Sequence, residues 1–274
     1  MRHSLVGFGL LLLAPLGISA AAQSAGFAYA PGIHHYRIVT ETHREQIQGG
    51  GRAPFEFDVT TTQLVTMNLS AKSRDTLQFE ITIDSVDVSS KFNAPAPDVR
   101  RIFGDKVSGL ISPQGKVYRF DPPAGTTDAD IIELYTNFRP FLVSFPAKPI
   151  AAGTSWADTT MQHVERAGFD VTSRSISLTR VTGDTTVDGK LAWRVVRHTD
   201  IVQSGQSSAG PDSGKVSLHG QGTVNAVRVL SHDGVYLGSL STQRIDLTTK
   251  NAISESAPIT QTIKTTLERL PDSR

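Results

Sequence analysis

Phe55, Phe57, Val59, Val65, Met67 and Leu69 all fall on odd positions, and Thr60, Thr62, Thr66 and Asn68 on even ones. A period of two sustained over that length marks a half-buried β-strand, because successive side chains of an extended chain point to opposite faces. The pattern recurs down the chain. Residues 33–43 open the series, and Leu77, Phe79, Ile81 and Ile83 share one face of the next run. Further stretches rich in Thr, Val and Ile lie near 169–182, 191–204, 215–230, 235–249 and 257–270, the last with Ile259, Ile263 and Leu267 on one side. One-sided alternation fits an antiparallel sheet with one packed and one wet face. After Ile83 the apolar parity passes to Val86 and Val88, which predicts a bulge or a twist there.

Turn chemistry punctuates the strands. Ser112-Pro113-Gln114-Gly115, Val187-Asp188-Gly189-Lys190 and Ser231-His232-Asp233-Gly234 each separate two apolar runs. Proline presets the backbone for a turn, and glycine supplies the positive φ that hairpins need. Gln46–Pro54 and Ser204–Gly214 read as loops. One region breaks the rhythm: Thr127 and Asp130 resemble a capping box, followed by Ile131, Leu134, Phe138, Leu142 and Phe145 at helical spacing. Pro140 would remove a helical hydrogen bond, so the helix is expected to end or kink around Arg139. The expectation is a mainly β protein. About eleven long antiparallel strands form one or two strongly curved, half-barrel-like sheets, with a short helical insertion near 97–103 and a helix near 127–139.

The two halves share an element order. Phe57-Asp58-Val59-Thr60 and Phe169-Asp170-Val171-Thr172 each open a long strand, and Gly115-Lys116-Val117-Tyr118 and Gly234-Val235-Tyr236 each follow later. The chain divides accordingly into a first β unit at 33–125, a helical and proline-rich connector at 126–153, and a second β unit at 154–270. The second is a pseudo-repeat of the first within one integrated domain. A flexible lead-in at 23–32 and a tail at 271–274 flank them.

The amino terminus points to export. Met1-Arg2-His3 is a short basic start, Leu5–Ile18 is apolar apart from Gly and Pro, and Ser19-Ala20-Ala21-Ala22 is a small-residue exit. That apolar run is short of the ~20 residues a membrane span needs. Together these features describe a signal peptide at 1–22, cleaved near Ala20–Ala22. No cysteine is present to carry a lipid anchor, a disulfide or a thiolate metal site. The expected location is periplasmic or secreted, with no transmembrane anchor. An outer-membrane barrel fits less well, since aromatics are only 7% and form no paired girdles.

Candidate chemistry is sparse. Lys and Arg number 27, with Arg2 inside the leader, against 26 Asp and Glu, so no bulk field favours nucleic acid. Gly-x-Ser-x-Gly, His-Glu-x-x-His, a phosphate-cradling loop and a dinucleotide fingerprint are all missing. The adjacent His34 and His35 point to opposite faces in a strand, and His163 with Glu165 would need a third ligand from elsewhere. The reading assigns no catalytic residue, no metal and no cofactor. What stands out is the apolar middle, where Phe138, Phe141, Phe145 and Trp156 crowd together with Pro140, Pro146 and Pro149. They either plug the concave face of the sheet as core or line a cavity there that accepts a lipid or acyl chain.

The string Phe145-Pro146-Ala147-Lys148-Pro149-Ile150-Ala151-Ala152-Gly153-Thr154-Ser155-Trp156 resembles a segment found between two strand-rich halves in exported bacterial β-rich proteins of unknown function. More loosely, the strand layout looks like the periplasmic lipoprotein-carrier half-barrels of the LolA and LppX kind. That second likeness implies acyl-chain binding and transfers no functional residue. The expected function is a non-enzymatic exported protein that binds a hydrophobic ligand or lipidated partner in the concave face. The alternatives are an envelope interaction protein with a filled core, whose partner is another envelope protein, and a hydrolase without recognisable motif.

Overall fold

The computed structural model describes residues 26–47, 54–91, 102–123, 138, 142–166, 169–207, 216–250 and 258–271. Among these residues eleven strands make one sheet: β1 (Gly32–Gln46), β2 (Phe55–Ser73), β3 (Thr76–Ser90), β4 (Lys106–Ile111), β5 (Val117–Asp121), β6 (Ser155–Arg166), β7 (Phe169–Val187), β8 (Lys190–Ser207), β9 (Ser217–Ser231), β10 (Tyr236–Lys250) and β11 (Ile259–Arg269). Their spatial order is β5-β4-β3-β2-β1-β11-β10-β9-β8-β7-β6, with all neighbours antiparallel. Two meanders, β1–β5 and β6–β11, are thus joined where β1 pairs with β11. Phe57–Thr60 and Phe169–Thr172 each stand at the start of the second strand of a meander. The sheet is open, with β5 and β6 at its edges.

The expected mainly β, curved architecture is what forms, as one sheet rather than two. Both predicted helices fall almost wholly outside the described residues. At the end of the first, Ile102 starts a tight turn that leads into β4.

Register follows the hydrophobic pattern. Tyr36, Ile38, Val65, Met67, Leu77, Phe79, Ile81, Ile83 and Leu267 all lie on the inner face and are buried. The parity change in β3 is a bulge: Val65 faces Ile83 and Leu64 faces Ser85, so Asp84 is the extra residue. That insertion keeps Val86 on the inner face, where it packs against the core.

Four connections lie at one end of the sheet: β2–β3, β4–β5, β7–β8 and β9–β10. The β7–β8 turn places Asp188 at φ 49° and Gly189 at φ 75°. Two successive positive φ values make the tight turn whose twist matches the flanking strands.

The core gathers at this turn end. Residues 23–32 were expected to be a flexible lead-in; from Gly26 on they are instead packed. Phe27 and Tyr29 are buried, the Tyr29 N–H donates to the Pro113 carbonyl at 2.8 Å, and that of Ala30 to Gly234 at 3.1 Å. Gly234 must be glycine, since its φ is 89° and a Cβ there would lie 2.2 Å from the Ala28 carbonyl oxygen. Gly115 is under the same constraint, with φ 85° and a Cβ position 2.1 Å from the Val143 oxygen.

The connector from β5 to β6 has to pass from one edge of the sheet to the other, and its described part does so across the floor. Phe145 N–H donates to Gln114 at 2.8 Å in the β4–β5 turn, and its ring lies 5.4 Å from that of Trp156 on β6. The sheet is therefore rolled far enough for Phe145 to link the β4–β5 turn at one edge to β6 at the other.

Candidate ligand-binding face

Above this floor the strands continue. Their inner face there mixes apolar and polar side chains: Val59 on β2, Ile263 on β11, Leu247 on β10, Val224 on β9 and Ile201 on β8 are half-buried and Ile245 is buried, with Thr40, Thr42, Thr61, Gln243 and Thr265 among them. Over the same stretch of β10 the outer face carries Thr242, Arg244, Asp246, Thr248 and Lys250, all exposed. Half-buried apolar side chains with a few polar groups among them, not covered by any described segment, have the composition of a hydrophobic-ligand surface.

Between the floor and this upper lining runs a belt of buried polar side chains. Gln63, Ser177, Thr179, Thr199 and Arg228 are buried on the inner face, with Arg197 beside them half-buried. The register explains the arrangement. Arg197 on β8 faces Ala226 of β9, and Arg228 faces Val195. The two arginines are thus diagonal cross-strand neighbours on one face, a spacing of about 7–8 Å along the sheet.

Arg197 Nη2 donates to Ser177 Oγ at 2.6 Å, and that hydroxyl lies 2.9 Å from Thr199 Oγ1. Arg197 Nε and Arg228 Nη1 are buried with no hydrogen-bond partner among the described residues. Burial, and then the positive charge of Arg228, holds the Arg197 guanidinium below its ordinary pKa, while Asp158 acts in the opposite direction. Arg228 lies beside the Tyr236 hydroxyl, whose pKa is raised chiefly by burial. Tyr29 is pushed up by burial for the same reason.

The four aromatics singled out in the sequence divide as follows. Phe138 and Phe145 are buried in the main core, Phe145 against Phe27 at 4.2 Å between ring centres. Trp156 is half-buried, and its indole N–H donates to the Ser144 carbonyl at 3.1 Å. Phe141 lies outside the described residues. Phe145 and Trp156 meet in the floor, below the upper lining.

The arginine belt was not singled out from sequence, yet a signal was present. Arg197 continues the parity of Trp193 and Val195, and Arg228 that of Ala226 and Leu230. A cation at an apolar parity position of a strand is the anomaly to look for.

Histidines and carboxylates pair mainly on the outer face. There His43 meets Asp58 at 2.7 Å and His198 meets Asp200 at 3.2 Å, while His232, stacked on Trp193 at the turn end, meets Asp184 at 3.1 Å. His163 stands between Thr172 at 3.4 Å and Asp170 at 2.9 Å, the order a nucleophilic triad would need. It sits on the exposed edge strand β6 with its side chain 68% exposed, so nothing there shields a reacting group from water. In the chain His35–Thr66–Asp84 the hydroxyl donates to the carboxylate at 2.7 Å, which leaves the histidine without a proton to take from it. Among the described residues no group of three or more His, Asp or Glu is placed to hold a metal ion.

The outer face also carries a small apolar cluster of Ala192, Val235 and Leu237 with Val187 and Val229. Beside it is an open hollow of about 370 Å³ that reaches Val227 and Leu240.

No protein-family model matches the chain, and no curated protein does. Among solved structures it is similar to OccAB4 of Acinetobacter baumannii, with a TM-score of 0.24, 6% identity, and coverage of 87% of this chain and 98% of that one. It is also similar to the outer membrane protein opdK from Pseudomonas aeruginosa, at TM-score 0.27 and 8% identity, covering 87% and 99%. A third is OmpT, an outer membrane protein of Vibrio cholerae, at TM-score 0.23 and 5% identity, covering 87% and 97%. Scores this low do not amount to a shared fold.

Proposed function

We propose that this is a non-enzymatic protein of the cell envelope that holds a hydrophobic ligand, a lipid or acyl chain, against the inner face of its rolled sheet. The observation that carries the reading is a set of half-buried apolar side chains on the mixed inner face above the packed floor. Val59, Ile201, Val224, Leu247 and Ile263 are only half-buried there, on strands whose turn ends are fully packed. Exposed apolar surface of this extent costs free energy in water, at about 25 cal/mol per Å². A bound chain would remove that cost. The export signal read at residues 1–22 supports the envelope setting, and the floor makes the cleft closed at one end.

The test is native mass spectrometry of the protein purified from its own cells, together with thermal melts in the presence of fatty acids and phospholipids. A copurifying lipid or a concentration-dependent rise in Tm is expected. Neither appearing would remove the reading.

A second reading has one observation in its favour. The apolar hollow at Val187, Val229, Leu237 and Leu240 lies on the outer face, where it suits contact with another envelope protein. A partner captured by the native chain and lost on Leu240→Lys would support it.

A further inference from the structure

We propose that Arg197 and Arg228 form an oxyanion site that grips the carboxylate or phosphate head of an amphipathic ligand whose chain lies along the inner face above them. The proposal rests on the ligand-holding reading and names the chemistry of the polar end.

Three observations converge. The two arginines are diagonal cross-strand neighbours on the inner face. Among the described residues neither has an ion pair with a carboxylate; the hydrogen bond of Arg197 goes to a neutral serine. And each keeps a buried N–H group without an acceptor, Nε of Arg197 and Nη1 of Arg228, the latter on a side chain only 5% exposed.

Like charges placed side by side in a partly dry setting repel, and a buried donor left unmade is costly. Proteins retain such an arrangement where an anion completes it. Arginine is the side chain suited to this, because its planar fork matches the oxygens of a carboxylate or phosphate. The Ser177 and Thr199 hydroxyls beside Arg197 share one proton between them and leave one neutral donor for the same place.

The position suits an amphiphile. Along β9 the inner face reads Arg228, Ala226, Val224 toward the open end, and along β8 it reads Arg197, Thr199, Ile201. A head held at the arginines therefore directs its chain past Val224 and Ile201 toward Ile245 and Leu247, away from the packed floor.

The experiment compares oleate with oleyl alcohol on the purified mature chain, and sulfate with chloride at matched ionic strength. Each is repeated on Arg228→Met and Arg197→Met. The native protein should bind oleate at least about tenfold more tightly than oleyl alcohol, as expected when charged hydrogen bonds form at a desolvated site. In both variants the difference should vanish while oleyl alcohol binds as before.

Equal affinity of the native protein for the two lipids, with no sulfate effect, overturns the arginine site and leaves the hydrophobic-ligand reading standing. If neither lipid binds, sulfate decides. A rise in Tm with sulfate that both arginine variants abolish keeps the site, for a free anion, and removes the lipid reading. No such rise removes both. The Met variants are expected to melt higher than the native protein without ligand, since an unpaired buried charge has been removed. Should Arg228→Met fail to fold, Arg197→Met on its less buried side chain reads the same contrast.

Discussion

At the scale of single residues, Phe138 separates a filled floor from a hollow one. It has no exposed surface and belongs to the main core. Phe138→Ala should cost about 3–5 kcal/mol in chemical denaturation, the range for an aromatic deleted from a close-packed site. A loss below about 1 kcal/mol would mean that the floor already contains a void. Two exposed pairs set a weak pH dependence. The His198 pKa lies above its ordinary value, first because of the hydrogen bond with Asn225 and then because of Asp200. A raised pKa means that the protonated form is favoured in the fold. Its contribution is complete below the ordinary imidazole pKa of about 6.5 and is lost as pH rises through the folded value. Asp58 runs the other way. The hydrogen bond from His43, with help from Lys91, lowers its pKa, so its contribution holds above the usual carboxylate range and is lost as acid titrates it. His198→Gln should therefore flatten the fall in Tm between pH 6 and pH 8. For the half-exposed His198 side chain that effect is a few tenths of a kcal/mol, on the order seen for exposed pairs.

At the scale of elements, the bulge in β3 makes a prediction that separates parity from length. Asp84 is the extra residue, so deleting it leaves Ile83 and Val86 on the inner face and makes the pairing with β2 regular. The Asp84 deletion should fold with a cooperative melt, losing little beyond the Thr66–Asp84 hydrogen bond. Deleting Thr82 instead also regularises the count, but it turns Ile83 to the outer face opposite Thr66 and Asp84 into the core opposite Val65, so this deletion should lower Tm far more than the loss of Asp84. Much of this was legible in the sequence, because inner-face alternation is enforced by burial and shows wherever burial is one-sided. The parity change at Val86 and Val88, and the side shared by Ile259, Ile263 and Leu267, both read correctly. β6 was hidden for the converse reason. As an edge strand it is exposed along much of its length, with Asp158, Thr160 and Gln162 on the inner parity, so no hydrophobic period marks it. Two buried aromatics, Phe27 and Tyr29, were too short a signal to reveal that the lead-in is part of the floor. The arginine belt escaped because a charge in a strand reads as surface until register shows which face it is on.

At the scale of the whole molecule, every long strand passes from a packed end to an open one, and its dynamics should follow. Inner-face residues at the turn end, such as Val65, Phe79, Val195 and Leu230, are buried, and segments 26–30 and 142–153 cover them. Toward the other end the inner face of the same strands is half-buried, with no described segment packed across it. Amides in the turn-end halves should then exchange hydrogen only through global unfolding, while those of the open halves exchange through smaller local openings. The expected result by mass spectrometry is a gradient of protection within single strands, for instance within β8 from Trp193 toward Gln203, and not a division between strands. Uniform protection along β8 would contradict the picture of a floor with an open sheet above it. The same measurement locates the ligand. A chain lying on the inner face, with its head at Arg197 and Arg228, should raise protection in the open halves of β8, β9 and β10 and leave the already protected floor unchanged. A ligand seated among Phe138, Phe145 and Trp156 would have to open the floor, and it would change exchange at the turn end first. Protection gained at the outer hollow near Val229 and Leu240 alone would instead assign binding to the opposite face of the sheet.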